Sequence, residues 1–281
     1  MLTEGLYIGL MSGTSLDGVD AVVVDFAEDS TRTLGSAYVA YPDEVRREAL
    51  NLNTAGLNEA HRSAVLANTL ADLYANAALS AARMANVSTD AINAIGCHGQ
   101  TIRHNPMAGY SIQINAPARL AELTGIDVIC DFRSRDIAAG GQGAPLVPAV
   151  HRALFQHPSE RRIILNLGGI ANLTRLTPHQ PVLGFDCGPA NMMLDAWIQH
   201  VKGLAYDADG EWAGQGKVIP ELLDNCLRHP FFTLPPPKSC GREQFNLEFI
   251  TERLIGNEHP SDVQATLAAL TVTSCVTAIH H

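Results

Sequence analysis

Residues 7–26 read YIGLMSGTSLDGVDAVVVDF, and the reading of the fold starts there. Two short apolar runs, 6–10 and the valine-rich 20–26, flank Ser12-Gly13-Thr14-Ser15-Leu16-Asp17-Gly18, a stretch of turn-forming residues. The spacing predicts a β-hairpin whose loop is longer and more polar than chain reversal requires. Gly13 and Gly18 permit close backbone approach and positive φ, so the amides from Gly13 through Val19 to Asp20 can face phosphate oxygens. Thr14 and Ser15 add hydroxyl donors, while Asp17 and Asp20 can hold a magnesium ion directly or through water. On its own, the same stretch reads first as a polar hairpin turn with an Asp-Gly signal. It is not the GxxxxGK[ST] loop, so a P-loop NTPase is not supported.

Working outward, residues 35–41 add a third strand, 42–52 a short helix and 57–86 a long Ala- and Leu-rich helix. A buried strand at 91–97 runs into His98-Gly99-Gln100-Thr101. Strand 111–114, helix 117–124 and strand 127–131 follow. The second half repeats this grammar. Strand 162–167 enters Gly168-Gly169-Ile170-Ala171-Asn172, strands follow at 173–176 and 181–185, and a helix spans 192–202. Each half opens with a strand–glycine loop–strand unit, which predicts a duplicated α/β fold with lobes at 1–130 and 131–281 and a cleft between them. Residues 262–281 read as a final helix with nothing after it to close the second lobe, so the chain is expected to be incomplete at that end.

Composition narrows the function classes. Of 281 residues, 46% are hydrophobic and 17% charged, as in an ordinary globular protein. No membrane-spanning helix is expected, and MLTEGLYIGL lacks the basic and apolar regions of a secretory signal, which predicts a cytoplasmic protein. Nineteen basic residues against 29 acidic give a net charge of −10, which disfavours nucleic acid or an anionic membrane as partner. The six cysteines show no C-x-x-C and no zinc-type spacing, so neither disulfide nor structural metal is assigned.

Further constellations bear on chemistry. A second glycine turn, Gly168-Gly169, lies between Asn166 and Asn172 and makes a phosphate clamp more plausible than two coincidental turns. Asp186 ends a strand before Gly188, where a carboxylate serves either as a general base or as an N-cap for the next helix. His98 and Gln100 can orient sugar hydroxyls, and Arg103 can meet an anion. The arginines of Asp131-Phe132-Arg133-Ser134-Arg135-Asp136 suit a carboxylate, with a solvated ion-pair cluster as the equal alternative. Lys238, in Pro237-Lys238-Ser239-Cys240-Gly241-Arg242-Glu243, reads as part of a basic loop near phosphates or as ordinary surface. Nothing supports an acyl or metal hydrolase.

IGLMSGTSLDGVD (8–20), IGCHGQTIRH (95–104), DFRSRDIAAGGQGAPLVPA (131–149), NLGGIANLT (166–174), GFDCGPAN (184–191), DAWI (195–198), PKSCGRE (237–243) and DVQATL (262–267) occur in this order along nearly the whole chain. Together they closely resemble the 1,6-anhydro-N-acetylmuramic acid kinases of the sugar-kinase, Hsp70 and actin superfamily. The resemblance implies a two-lobed, ribonuclease H-like α/β fold with an interdomain cleft. It implies ATP and Mg2+ as cofactors, an anhydro amino sugar from peptidoglycan as substrate, and a homodimer. It makes Asp186 the catalytic base and Gly13 to Asp20, with Gly168 and Gly169, the nucleotide site. Asp17 becomes the metal ligand, and His98, Gln100, Arg135 and Asn172 the sugar contacts. Three departures stand out. Ala190 replaces a glycine, Cys240 replaces a threonine, and family members continue for roughly 80–90 further residues. Two other readings remain: a non-catalytic binding remnant of such a kinase, or a different sugar kinase of the superfamily.

Overall fold

The apolar–polar alternation of the first forty residues forms three antiparallel strands, β1 (Gly5–Met11), β2 (Gly18–Ala27) and β3 (Ser30–Ala40), in this computed structural model. The structure describes residues 4–13, 15–27, 30–242 and 244–280, so Thr14 of the predicted phosphate loop lies outside the described residues. The chain divides into two compact units, Met1–Gly143 and Ala144–His281.

In the first unit, α1 (Asp43–Asn51) and α2 (Glu59–Met84) follow the hairpins. Then come β4 (Ile92–Cys97), β5 (Gln100–Asn105), β6 (Tyr110–Ile114), α3 (Pro117–Thr124), β7 (Val128–Ile129) and α4 (Phe132–Ala138). The main sheet has the order β3-β2-β1-β4-β7, with β4 and β7 added in parallel and β5–β6 forming a separate hairpin. Helix α2 lies on β2 and β3. Its buried face recurs at helical spacing through Leu66, Leu70, Tyr74, Ala77, Ala78 and Ala81, and the alanines let the helix approach the strands closely. Leu70 and Tyr74, with Ile8, Val23 and Ile95 from the sheet, anchor one core. Burial of each such side chain contributes about 1.5–3 kcal/mol.

The second unit comprises α5 (Pro148–Phe155), β8 (Arg162–Leu167), β9 (Ile170–Leu176), β10 (Leu183–Pro189), α6 (Asn191–Lys202), α7 (Pro220–Leu227), α8 (Leu247–Thr251) and α9 (Pro260–His280). Strands β8, β9 and β10 form an antiparallel meander, the same local pattern as β1–β3. Its larger core is aromatic. The Phe245 ring is fully buried, with Phe249 at 5.1 Å, Phe231 at 5.6 Å and Phe232 at 5.7 Å between centroids. A smaller cluster joins Ala171, Leu173, Phe185, Cys187 and Ala190 to Cys275 and Ala278 of α9.

The expected α/β class is present, as is a strand–glycine loop–strand unit in each half, although in the second unit α5 precedes it. Three details differ. The boundary falls after Gly143: Gly143 N donates to Asp136 Oδ2 (2.7 Å) and Arg133 donates to Gly143 O (2.6 Å), while Arg133 Nε also donates to His98 Nε2 (2.9 Å), which ties 131–143 to the first unit. The strand expected at 127–131 contracts to Val128–Ile129, since Asp131 takes φ 60° and turns the chain into α4. Helix α9 is, by length and composition alone, apolar enough to cross a membrane, where no such stretch was expected. Its Val263, Leu267, Leu270, Cys275 and Ala278 pack into the two cores, and a buried core helix passes the same test.

Candidate active site

Asp186 sits where β10 departs from regular pairing. It pairs with Asn172 of β9, but the next partner is Gly188 with Ala171, leaving Cys187 as the extra residue of a β-bulge. Bulges re-aim side chains, and this one lies at the residue expected to be the base. Asp186 is 6% exposed. Its N–H donates to Lys238 O (2.9 Å), and its Oδ2 accepts from Cys240 N (3.0 Å). The N-cap alternative falls away: the cap position of α6 is Ala190, with no side-chain bond to the helix.

Asn166 pairs with Asn172 across β8 and β9, so Asn166, Asn172 and Asp186 form one cross-strand row on one sheet face. Asn172 Oδ1 is buried without a hydrogen-bond partner. The carbonyls of Gly168 and Gly169 accept from Asn191 N (3.1 Å), Ala190 N (2.9 Å) and Met192 N (3.1 Å), which docks the first turn of α6 against the glycine hairpin. The second glycine loop and the Asp186 turn are therefore one assembly.

The two substitutions relative to the family pattern fit this geometry. Ala190 has φ −129°, outside the left-handed region that favours glycine. Gly188, which is retained, has φ 151°, and a Cβ there would lie 2.9 Å from the Phe232 ring. At Cys240 the contact to Asp186 comes from the main chain, which a threonine-to-cysteine change leaves in place.

In the first unit Ser12, Gly13 and the chain at 16–17 are held from beneath. Ser12 is buried, within 2.9 Å of Tyr74 Oη and donating to Gly99 O (3.0 Å). Gln100, fully buried, donates from Nε2 to Gly13 O (3.1 Å) and Thr101 O (3.3 Å). Leu16 takes φ 59° and turns its side chain into the core. Asp17 O accepts from Tyr41 N and from Tyr38 Oη, both at 2.9 Å. On the exposed side, Ser15 Oγ donates to Asp17 Oδ1 (2.6 Å). Burial, followed by the carboxylates of Asp17 and Asp20, pushes the Tyr38 phenol up, so both acids bear on one spot.

The predicted sugar contacts have different surroundings. Arg133 Nε donates to His98 Nε2 (2.9 Å), which leaves Nδ1 as the protonated nitrogen facing Gly99 O at 2.6 Å. Gln100 thus braces the loop, His98 joins Arg133 of α4 to Gly99 O, Asn172 flanks Asp186, and Arg135 lies exposed on α4. Arg103 is paired with Glu59 (2.6 Å). Burial pushes the Cys97 thiol up to about 12, which removes it as a nucleophile. The Tyr74–Ser12 bond and the Lys238–Cys240 grip on Asp186 join residues distant in sequence, and no local pattern marks them.

A family model described as anhydro-N-acetylmuramic acid kinase matches residues 5–281. The anhydro-N-acetylmuramic acid kinase of Nitrosomonas europaea is 53% identical over 268 residues, covering 95% of this chain and 74% of that relative. The chain belongs to the anhydro-N-acetylmuramic acid kinase family. Its Bordetella pertussis relative of the same name is 52% identical over 279 residues, with 98% of this chain and 74% of that one covered. Among solved structures, an Aquifex aeolicus Ppx/GppA phosphatase aligns at 9% identity and a TM-score of 0.38, over 98% of this chain and 92% of its own. A Cytophaga hutchinsonii exopolyphosphatase aligns at 10% identity and a TM-score of 0.34, over 96% and 89%. Membership places the chain among the kinases, for which ATP is the phosphoryl donor.

His98 gives this site a pH signature. Burial, then the Arg133 charge, pushes its pKa from 6.5 to about 4. The unfolded chain binds this proton more readily, so the stabilisation is complete above about pH 6.5 and is lost as pH falls towards 4. Over that window, stability is expected to drop by about 3 kcal/mol from this group. Urea melts between pH 4 and 7, compared with His98→Phe, measure it; a variant with the same pH slope as the parent chain contradicts it.

Proposed function

We propose that this chain binds ATP and 1,6-anhydro-N-acetylmuramic acid, opens the anhydro ring with water and phosphorylates O6, yielding N-acetylmuramic acid 6-phosphate and ADP for peptidoglycan recycling. The supporting observation is Asp186, a buried carboxylate at a β-bulge, gripped by main-chain contacts and flanked by Asn172, in a chain 53% identical to such a kinase.

Asp186 takes a proton from the water attacking the anomeric carbon. The C1–O6 bond breaks as the C1–OH bond forms, and the electron pair left on O6 attacks the γ-phosphorus in line, expelling ADP. The proton on Asp186 then passes to solvent. Little further covalent chemistry is asked of the protein, so positioning and charge stabilisation carry the transfer. In the first unit, the amides of Gly13 to Asp20 and the Ser15 hydroxyl receive phosphate oxygens. In the second, Gly168 and Gly169 bring backbone to the nucleotide.

The donor set also fits magnesium. Among the described residues no cluster of three or more acidic, His or Cys side chains exists, and Mg2+ needs none, taking one or two carboxylates with phosphates and water. Asp17 would hold it, with Asp20 beside it, and the ion would neutralise charge on the phosphates. Asn172 Oδ1 accepts a sugar hydroxyl or the attacking water, Arg135 pairs with the lactyl carboxylate, Gln100 serves the sugar indirectly by fixing the loop, and His98 does so by joining Arg133 to Gly99 O. A cytoplasmic homodimer without nucleic-acid or membrane partners completes the proposal.

The reading is tested by ADP release in the presence of anhydro sugar. One ADP per sugar phosphorylated is expected, with no release from ATP alone. ADP release that ignores the anhydro sugar and follows another sugar overturns it.

A further inference from the structure

Lys238 belongs to a loop whose composition suggests a basic surface segment near phosphate, yet the lysine is 8% exposed. Its Nζ donates to Phe231 O (3.0 Å), lies 3.4 Å from Phe232 O, and stands 4.5 Å above the centre of the Phe231 ring. No carboxylate pairs with it among the described residues. Burying an ammonium without a counter-ion is costly and is offset only where carbonyl oxygens and an aromatic face replace its hydration. Burial pushes the lysine pKa down, in keeping with that cost. A cation engaged in this way is not displayed to a phosphate.

What the ammonium does is fasten one segment to another. It ties the chain at 238 to the turn at Pro230–Thr233, which is packed on the Phe245 aromatic cluster. Both main-chain contacts to Asp186 noted above come from this tethered segment: Lys238 O receives Asp186 N, and Cys240 N reaches Asp186 Oδ2. Release of the tether frees the donor that orients the carboxylate.

We propose that Lys238 is a positioning residue: its buried ammonium holds the 238–240 segment so that the Cys240 amide sets the orientation of the Asp186 carboxylate. The kinetic consequence rests on the reading of Asp186 as the base; the structural one does not. The substitution Lys238→Met keeps length and removes the charge and the donors. In that variant, amide hydrogen exchange at Asp186 and Cys240 is expected to accelerate about tenfold or more, while Leu165 and Leu173 in the β8–β9 ladder keep their protection. Turnover is expected to fall about tenfold with KM for both substrates little changed. In an Asp186→Asn background, Lys238→Met should lower the residual rate no further, because both act through one carboxylate. Phe231→Leu, which removes the ring but keeps the carbonyls, should show the same effects more weakly and serves if Lys238→Met does not fold. Unchanged exchange at Asp186 and Cys240 in a folded variant overturns the tether. Accelerated exchange with effects that multiply with Asp186→Asn overturns the route through Asp186. Failure of the base reading itself would show separately, as activity retained in Asp186→Asn alone.

Discussion

Asp186→Asn is expected to lower kcat by about 10²–10⁴-fold while leaving ATP and sugar binding nearly intact, the loss typical of a removed general base. The substitution conserves shape, and the new amide oxygen can still accept from Cys240 N in place of Asp186 Oδ2. The missing property is the ability to take a proton. An effect confined to kcat therefore identifies chemistry, whereas a parallel rise in KM would point to lost packing at the bulge. Isothermal calorimetry beside steady-state turnover separates the two. Because ring opening and phosphorylation share the proton taken from water, both should fail together. Turnover retained near the parent rate in Asp186→Asn would contradict the assignment.

The second large effect is expected at Gly18. A Cβ there would meet Val39 O and lie 2.7 Å from two atoms of the Tyr38 ring, and backbone cannot move aside as a flexible side chain can. Gly18 opposes Ala40 at the end of the β2–β3 ladder, and Tyr38 Oη is one of the two donors holding Asp17 O. Gly18→Ala therefore pushes β3 away and loosens the loop together. Overpacking of this kind is expected to cost about 1–3 kcal/mol or more. The KM for ATP should rise about tenfold as loop orientation is lost. Gly9→Ala is the control, since no atom lies within 4 Å of its Cβ position. Equal thermal stability of the two variants would contradict the argument.

How much of this was legible in the sequence depends on how local each signal is. The β1–loop–β2 hairpin was legible because alternation and an Asp-Gly pair are properties of neighbours; Asp186, read as a strand end before Gly188, instead lies inside β10 (Leu183–Pro189), at a bulge that no local pattern marks. Strand β5 was missed: Gly99, at φ 74°, turns the chain so that Gln100 restarts a strand that reads as loop. That residues 131–143 belong with the first unit was not legible, because the bonds that hold them there, Arg133 to His98 and Arg133 and Asp136 to Gly143, are tertiary. Asp186 was also open to an N-cap role until α6 was seen to begin at Asn191, with Ala190 as its cap. The grip on Asp186 could not be read at all. Cys240 lies 54 residues away, and its contribution is a main-chain N–H that every residue except proline possesses. Lys238 was misread for a related reason: composition marks a lysine as surface until tertiary structure shows it buried.

The account's central claim is that one proton abstraction links water addition at the anomeric carbon to phosphoryl transfer on O6. Turnover in ¹⁸O-labelled water, with mass spectrometry of the products, tests it most directly. The account predicts label at C1 of N-acetylmuramic acid 6-phosphate and none in the transferred phosphate. Label in inorganic phosphate, or a phosphorylated sugar with no label at C1, would contradict it.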